Sequence, residues 1–271
     1  MRRISRAKGQ LIMKIHQAKV HDHKVASEGY QILVFDVPGL ARAVKPGQFI
    51  HMKVPRLDGA VLRRPFSVYR AEGKYLTVLY KTVGRGTYAM QDISKGDEVS
   101  LIGPLGNGFP VTKSSKSPVL VAGGYGVAPL AFLASRIKRK GIIFIGGAKR
   151  SDILCATDFK KLGWDVRIAT DDGSLGEKGL VTLILDEWLA KNETADNLEF
   201  FACGPDGMLK AVGERGLRCG CQTWLSLDKH MGCGVGACLA CVQKIRRDGV
   251  ESLMRVCREG PVFEAGEIVW E

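Results

Sequence analysis

Short runs in which apolar and polar residues alternate fill the chain from Gln10 to Phe109: "QLIMKI", "YQILVFDV", "QFIHMKV", "PFSVYR", "YLTVLYK" and "EVSLIG". Glycine, proline and charged turns separate them, a period-two pattern that predicts an antiparallel sandwich or barrel. The pattern breaks at "PVTKSSKSP", Pro110 to Pro118, a Ser-, Lys- and Pro-rich connector. From Val119 onward, continuous apolar runs ("VLVA", "IIFIGGA", "VRIAT", "LEFFACG") alternate with helix-period stretches ("APLAFLASRIKRK", "SDILCATDFKKLG", "VTLILDEWLAKN", "PDGMLKAVGERG"). That rhythm predicts a parallel sheet with helices on both faces. After Gly216 the periodicity dissolves into a tail rich in cysteine and glycine, a piece so short that it needs a staple. The expected fold is therefore β plus α/β: a barrel over 1–112, a parallel-sheet domain over 113–216, and a small domain over 217–271.

Composition narrows the setting. A chain of 271 residues, 45% hydrophobic and 25% charged, has material for two or three cores. No apolar run reaches the roughly 18 residues of a membrane-spanning helix, and the opening "MRRISRAKGQ" has no apolar export signal behind it. Eight cysteines without such a signal point to a reducing compartment, where clustered thiols mean metal or redox chemistry. The expected address is cytoplasmic. Net charge is +12, and the first 24 residues hold seven basic side chains against one acid. No nucleic-acid motif accompanies them, so this arm reads as a solvated or frayed terminus, with an acidic partner as the alternative. His16, His21 and His23 fall close together there but lack a cysteine or carboxylate pattern that would make them a metal site.

The thiols carry more information. "HMGCGVGACLACVQ" and "MRVCREGPVF" together give Cys233-x4-Cys238-x2-Cys241-x15-Cys257. This is the plant-type ferredoxin spacing for a 2Fe-2S cluster. Gly232, Gly234 and Gly236 suit a loop that must turn its backbone N–H groups toward sulfur and visit positive φ. A structural zinc site would more often pair its thiols as two Cys-x2-Cys knuckles, which this spacing fits poorly. Cys155 is expected within a helix as a small core residue, and Cys219 and Cys221 as spare thiols.

Two further groups of motifs surround ligands. Arg64-Pro65-Phe66-Ser67 fits the Arg-x-aromatic-Ser pattern of ferredoxin reductase-like flavin domains, where arginine clamps a phosphate and a small hydroxyl approaches the ring. In "LYKTVGRGTYAM", Gly84-x-x-Thr87 opens a short helix whose free N–H groups suit a pyrophosphate. In "VLVAGGYGVAPL", Gly123, Gly124 and Gly126 follow a buried strand and precede Pro129, a nucleotide-loop pattern though not the strict G-x-G-x-x-G. "TDDGSLGEKG", with Asp172, and "ACGPDGML", with Cys203, Gly204 and Pro205, end later strands of the same sheet, where open α/β sheets bind ligands.

In this order, over nearly the full length, the motifs resemble the electron-transfer subunits of the bacterial two-subunit, NAD-dependent dihydroorotate dehydrogenases. That family is similar to ferredoxin–NADP reductase with a cluster domain appended. The resemblance implies flavin contacts at Arg64, Pro65, Phe66, Ser67, Leu79, Tyr80, Lys81, Gly86 and Thr87, and cluster ligands at Cys233, Cys238, Cys241 and Cys257. It implies FAD, a 2Fe-2S cluster and NAD as cofactors, and an FMN-containing catalytic partner in a heterotetramer of two plus two. Its function would be the relay of electrons from dihydroorotate to NAD+ in pyrimidine (UMP) biosynthesis. Ser67 and Cys203 are the candidates for lining flavin and nicotinamide during hydride transfer. Tyr125 departs from the smaller residue this nucleotide loop often has, and Cys219 falls outside the pattern. Still open from the residues are NADP, with Lys149 and Arg150 near a 2′-phosphate position, and a reductase of the same build serving a hydrogenase, a sulfite or sulfur reductase, or ferredoxin.

Overall fold

The computed structural model describes residues 13–57, 59, 61–111, 116–191 and 197–270. Six strands form the first layer: β1 (Lys14–Ser27), β2 (Tyr30–Asp36), β3 (Phe49–Met52), β4 (Arg64–Glu72), β5 (Tyr75–Lys81) and β6 (Glu98–Leu105). They close an antiparallel barrel in the order β1-β2-β5-β4-β3-β6. Two short helices, α1 (Pro38–Ala43) and α2 (Arg85–Ala89), fill its connections. Inward positions such as Leu33, Phe35, Ile50, Val68 and Val78 pack as one core.

The first strand differs from its reading. Only its start was legible in "QLIMKI", of which Gln10 to Ile12 lie outside the described residues. β1 continues to Ser27 because β2 and β6 each supply a ladder to it. Lys14, Lys19 and Lys24 are therefore held on a strand rather than on a frayed arm, while the residues before Met13 lie outside the described ones. The three histidines diverge. His21 stacks on Tyr75 at 4.3 Å. His23 donates from Nδ1 to the Ile93 carbonyl (2.7 Å) and accepts at Nε2 from Tyr80 (3.0 Å).

The second layer is a seven-stranded sheet built from β7 (Ser117–Gly123), β8 (Ile142–Gly147), β9 (Asp165–Thr170), β10 (Glu177–Lys178), β11 (Leu198–Cys203), β12 (Gln222–Ser226) and β15 (Val262–Glu264). Its order is β10-β9-β8-β7-β11-β12-β15, parallel except for β15 at the edge. The helices are α3 (Val127–Arg136), α4 (Ala156–Lys161), α5 (Val181–Lys191) and α6 (Asp206–Arg218). Cys155 is not helical; it precedes α4 in the left-handed region at φ 61°. The connector boundary at 112/113 lies outside the described residues. The sheet itself runs past 216, because β12 pairs in parallel with β11 and β15 then pairs with β12. Between β12 and β15 lie the cysteine loop and a hairpin, β13 (Val242–Arg247) with β14 (Val250–Arg255).

Shared cores weld these parts. Barrel residues Tyr30, Tyr69 and Leu79 pack with Leu120, Ile143 and Phe201 of the sheet. Phe49 and Leu105 of the barrel share a core with Leu225, Phe263, Cys241 and Cys257. Among the described residues, no helix is long and apolar enough to cross a membrane.

Candidate functional site

Adjacent strands of the barrel build the first cavity, of about 430 Å³. β4 delivers Arg64, Pro65, Phe66 and Ser67 to its wall; β5 delivers Leu79, Tyr80 and Lys81; Thr87 reaches it from α2. Gly86 stands behind the wall, where a Cβ would come 3.0 Å from Arg64 Nε, so its lack of a side chain makes room for the guanidinium. Arg64 is oriented by donating to the Leu62 carbonyl at 2.8 Å. Thr87 has a local task as well: its Oγ1 accepts from the N–H groups of Val83 (2.9 Å) and Gly84 (3.1 Å), which fixes the turn into α2. The far wall comes from the segment after β12, including Leu227, Asp228, His230 and Met231, which leads into the cysteine loop.

A second cavity, of about 880 Å³, opens at the carboxyl ends of the parallel strands. Gly123, Gly124 and Gly126 follow β7, Gly147 and Ala148 follow β8, and Cys203, Gly204 and Pro205 end β11. Close approach of two loops explains Gly126: a Cβ there would lie 2.3 Å from the Cys203 carbonyl oxygen. Tyr125 does not obstruct this loop. Its hydroxyl donates to Asp228 Oδ2 at 3.1 Å, and both residues line this cavity and the first. Burial pushes the Cys203 thiol up to about 12, so it is a neutral wall group and no nucleophile.

The two cavities share a wall. Lys81, Tyr125, Gly126, Cys203 and Asp228 line both. Ligands bound in the two spaces would meet there, which is what direct transfer of a hydride demands. Lys81 also joins the layers: it donates to Asp152 Oδ1 (3.1 Å), which accepts from Tyr30 as well (2.6 Å). Burial works to raise the Asp152 carboxyl, but these two donors win and hold it below its ordinary range. Tyr30 and Asp152 were not legible as site residues, since their contact spans 122 positions.

Asp171, rather than Asp172, lines the nucleotide cavity. Asp172 accepts from the N–H (2.8 Å) and hydroxyl (2.6 Å) of Ser174, and so shapes the turn beside it. Lys149 and Arg150 are both engaged elsewhere: Lys149 with Glu28 at 2.8 Å, and Arg150 with the Ser174 carbonyl at 2.7 Å.

The four thiols form two pairs. Cys233 and Cys238 sit on the outer loop, and Cys238 is exposed; Cys241 and Cys257 are each 2% exposed. Gly234 and Gly236 adopt φ 68° and 85°, turning the loop so that the N–H groups of Val235, Ala237 and Cys238 donate to Cys233 Sγ at 3.2 to 3.4 Å. The Cys257 N–H donates to Cys241 Sγ at 3.4 Å. Burial tends to raise the Cys233 thiol, yet the three N–H groups outweigh it and bring it down to about 6. Cys257 is pushed up to about 12 by burial and by Cys241 beside it. Among the described residues no three His, Cys, Asp or Glu side chains gather around one point. Two thiol pairs with inward N–H donors fit a binuclear centre, two thiolates to each iron, better than a single tetrahedral ion.

Comparison with known proteins agrees with this geometry. Residues 228–269 match the model of the iron-sulfur cluster binding domain of dihydroorotate dehydrogenase B. The chain is 37% identical over 264 residues to the dihydroorotate dehydrogenase B (NAD(+)) electron transfer subunit of Desulforamulus reducens, covering 95% of this chain and 99% of that one. The chain belongs to that family. The electron transfer subunit of Enterococcus faecalis is 39% identical over 83% of this chain and 87% of its own. A solved NADH-dependent reduced ferredoxin–NADP oxidoreductase, studied for flavin-based electron bifurcation, superposes with a TM-score of 0.81 at 23% identity, over 97% of this chain and 92% of that one. A ferredoxin–NADP+ reductase of Neisseria gonorrhoeae, solved with FAD and NADP, shares the fold with a TM-score of 0.63 at 16% identity, over 76% and 92%. As a member of the electron transfer subunit family, the chain is an oxidoreductase component that hands electrons between centres.

Proposed function

We propose that this chain carries electrons from dihydroorotate, oxidised at FMN in a catalytic partner subunit, through a 2Fe-2S cluster and FAD to NAD+, in the pathway to UMP. One observation carries the reading: the barrel cavity lies between the nucleotide cavity, with which it shares a wall, and the segment that enters the thiol loop. Flavin, when bound there, exchanges electrons singly with a cluster and in pairs with nicotinamide. The residues of the chain supply position. Arg64 holds a flavin phosphate, with Pro65, Phe66, Leu79 and Tyr80 around the ring and Gly86 and Thr87 behind it. Ser67 and Cys203 flank the line of hydride transfer without exchanging a proton. Gly123, Gly124, Gly126, Gly204 and Pro205 frame the dinucleotide. Cys233, Cys238, Cys241 and Cys257 ligate the irons. The partner approaches the exposed Cys238 face, in an assembly of two chains of each kind in the cytoplasm; eight cysteines with no disulfide among them suit that reducing compartment.

Electrostatics favour NAD over NADP. The nucleotide cavity is lined by Asp152, Asp171, Asp206 and Asp228 against a single lysine, Lys81. Asp152 is paired with Lys81 and Asp206 with Lys229, whereas Asp171 has no partner among the described residues. An added 2′-phosphate would meet that unpaired charge. Asp171→Asn is therefore expected to narrow the preference for NADH over NADPH by about tenfold, read as the ratio of kcat/KM values in a dye-reduction assay. An unchanged ratio would remove Asp171 from the selection.

The flavin assignment has its own test. Arg64→Ala should weaken FAD retention by about 1.5 to 3 kcal/mol, the worth of a charge-assisted contact. Gel filtration followed by absorbance at the flavin band measures the loss. Stoichiometric flavin in the variant would sink the motif reading. For the relay as a whole, the isolated chain should reduce a dye with NADH and ignore dihydroorotate, and only the complex with the partner should couple dihydroorotate to NAD+. Coupling with a hydrogenase or sulfite reductase partner instead would replace the substrate while leaving the wiring intact.

A further inference from the structure

His51, in β3, stands between two functional neighbours. Across the barrel ladder it faces Pro65 of the flavin strand. On its other side its ring lies under the thiol loop, where a Cβ on Gly234 would come 2.6 Å from Nδ1. The residue is 1% exposed, and neither Nδ1 nor Nε2 has a hydrogen-bond partner. The backbone at Cys233 and at Arg63 is near the ring, but neither completes a hydrogen bond to a ring nitrogen. An imidazole always carries at least one N–H, and leaving such a donor buried and unpaired costs about 1–3 kcal/mol. The ring lies against Gly234, the residue that follows Cys233. A ring N–H needs an acceptor, which the N–H groups of Val235, Ala237 and Cys238, all directed to Cys233 Sγ, cannot be.

We propose that His51 is a positioning residue of the cluster, donating its ring N–H to a sulfur of the bound 2Fe-2S centre on the Cys233 side. The inference rests on the reading of the four thiols as that cluster's ligands. Its physical effect follows from charge. Reduction adds an electron to the centre, and a hydrogen bond to sulfur is stronger when sulfur is more negative, so it favours the reduced form. Because β3 also pairs with the flavin strand, the same side chain fixes the cluster loop against the strand that bears Pro65. Gly234 is required for this arrangement, since any side chain there would occupy the space of the ring.

The experiment uses the full chain purified anaerobically, with iron, sulfide and FAD counted first. In wild type labelled with 15N-histidine, pulsed EPR of the reduced cluster should show coupling to one histidine nitrogen, and His51→Gln should remove it. His51→Leu should lower the ratio of reduced to oxidised cluster at a fixed potential about tenfold, a 59 mV downward shift for one electron. His51→Gln, which keeps an N–H donor, should recover most of that shift. A cluster-loaded wild type without histidine coupling overturns the proposal, as does an unshifted potential in a cluster-loaded His51→Leu. If the leucine variant fails to fold, the labelled wild type decides alone. Wild type without iron and sulfide strikes instead at the reading of the thiols, and takes this proposal with it.

Discussion

Cys238→Ser should abolish NAD+ reduction by dihydroorotate in the reconstituted complex while sparing most of the NADH–dye reaction of the chain. Cys238 is the exposed member of the outer thiol pair, and Cys233 N–H donates to its sulfur at 3.4 Å. With Cys238 as a ligand, serine would offer an oxygen where the centre needs thiolate, and half of the ligation by the outer thiol pair would be lost. The loss should exceed the roughly 100-fold drop in metal affinity that follows removal of a mere outer-shell partner. The flavin and nucleotide cavities do not include Cys238 in their walls, so their shared chemistry survives. Iron and sulfide analysis beside the two assays checks the result. Coupled turnover at the full rate in a protein stripped of iron would overturn the order of the centres.

Gly126→Val is expected to reverse that pattern, raising KM for NADH by about 10- to 100-fold while iron and sulfide stay bound. A Cβ at this position would meet three backbone atoms of the facing loop: the Cys203 oxygen at 2.3 Å, the Cys203 carbon at 2.5 Å and the Gly204 nitrogen at 2.8 Å. Backbone cannot swing aside as a long side chain does, so the two loops must part and the dinucleotide cradle opens. Overpacking of this kind costs about 1–3 kcal/mol, and every 1.4 kcal/mol of lost binding is about tenfold. Gly39→Ala, in α1 and away from both cavities, is the control: the nearest atom to its Cβ position is His16 Cε1 at 4.0 Å, so NADH kinetics should stay unchanged. Steady-state titration of NADH in the dye assay separates the two variants. A Gly126→Val protein with wild-type KM would show that the nucleotide does not use this loop.

The strong periodicities made most of the fold legible. Three parallel strands announced themselves as largely apolar runs because both faces of the sheet are covered there, β9 less so because Asp165 and Arg167 on it are exposed, and five barrel strands as alternating runs because one face meets water. The body of β1 escaped, since only Ala18 and Val20 along it are buried and polar side chains crowd the rest. β12 and β15 escaped for another reason: short strands beside a glycine-rich loop carry too few residues to establish a period. Of the candidate site, the grouping of the thiols was readable because spacing along the chain sets which of them a loop can bring together. The glycine loop was readable too, although its need for glycine comes partly from the Cys203 carbonyl, 77 positions away. Contacts made across the chain left no local mark. Nothing in "TDDGS" distinguishes Asp171, which lines the cavity, from Asp172, which braces the turn. A single histidine in "QFIHMKV" likewise gives no sign that its ring ends under the thiol loop.

The edge of the sheet has a kinetic consequence. β12 and β15 are adjacent, pairing Trp224 with Glu264 and Ser226 with Val262, so everything from 227 to 261 leaves and re-enters the molecule at one place. The barrel grips the returning arm as well: Asn107 Nδ2 donates to the carbonyls of Arg258 (3.2 Å) and Glu259 (3.0 Å). A redox carrier on a flexible tether must wander between donor and acceptor, and its throughput falls as the medium thickens. Here the thiol loop is clamped at both ends and cannot wander. The step between it and the barrel cavity should proceed at the same rate in buffer and in concentrated sucrose, leaving only the diffusional stages, association with the partner and exchange of the nucleotide, for viscosity to slow.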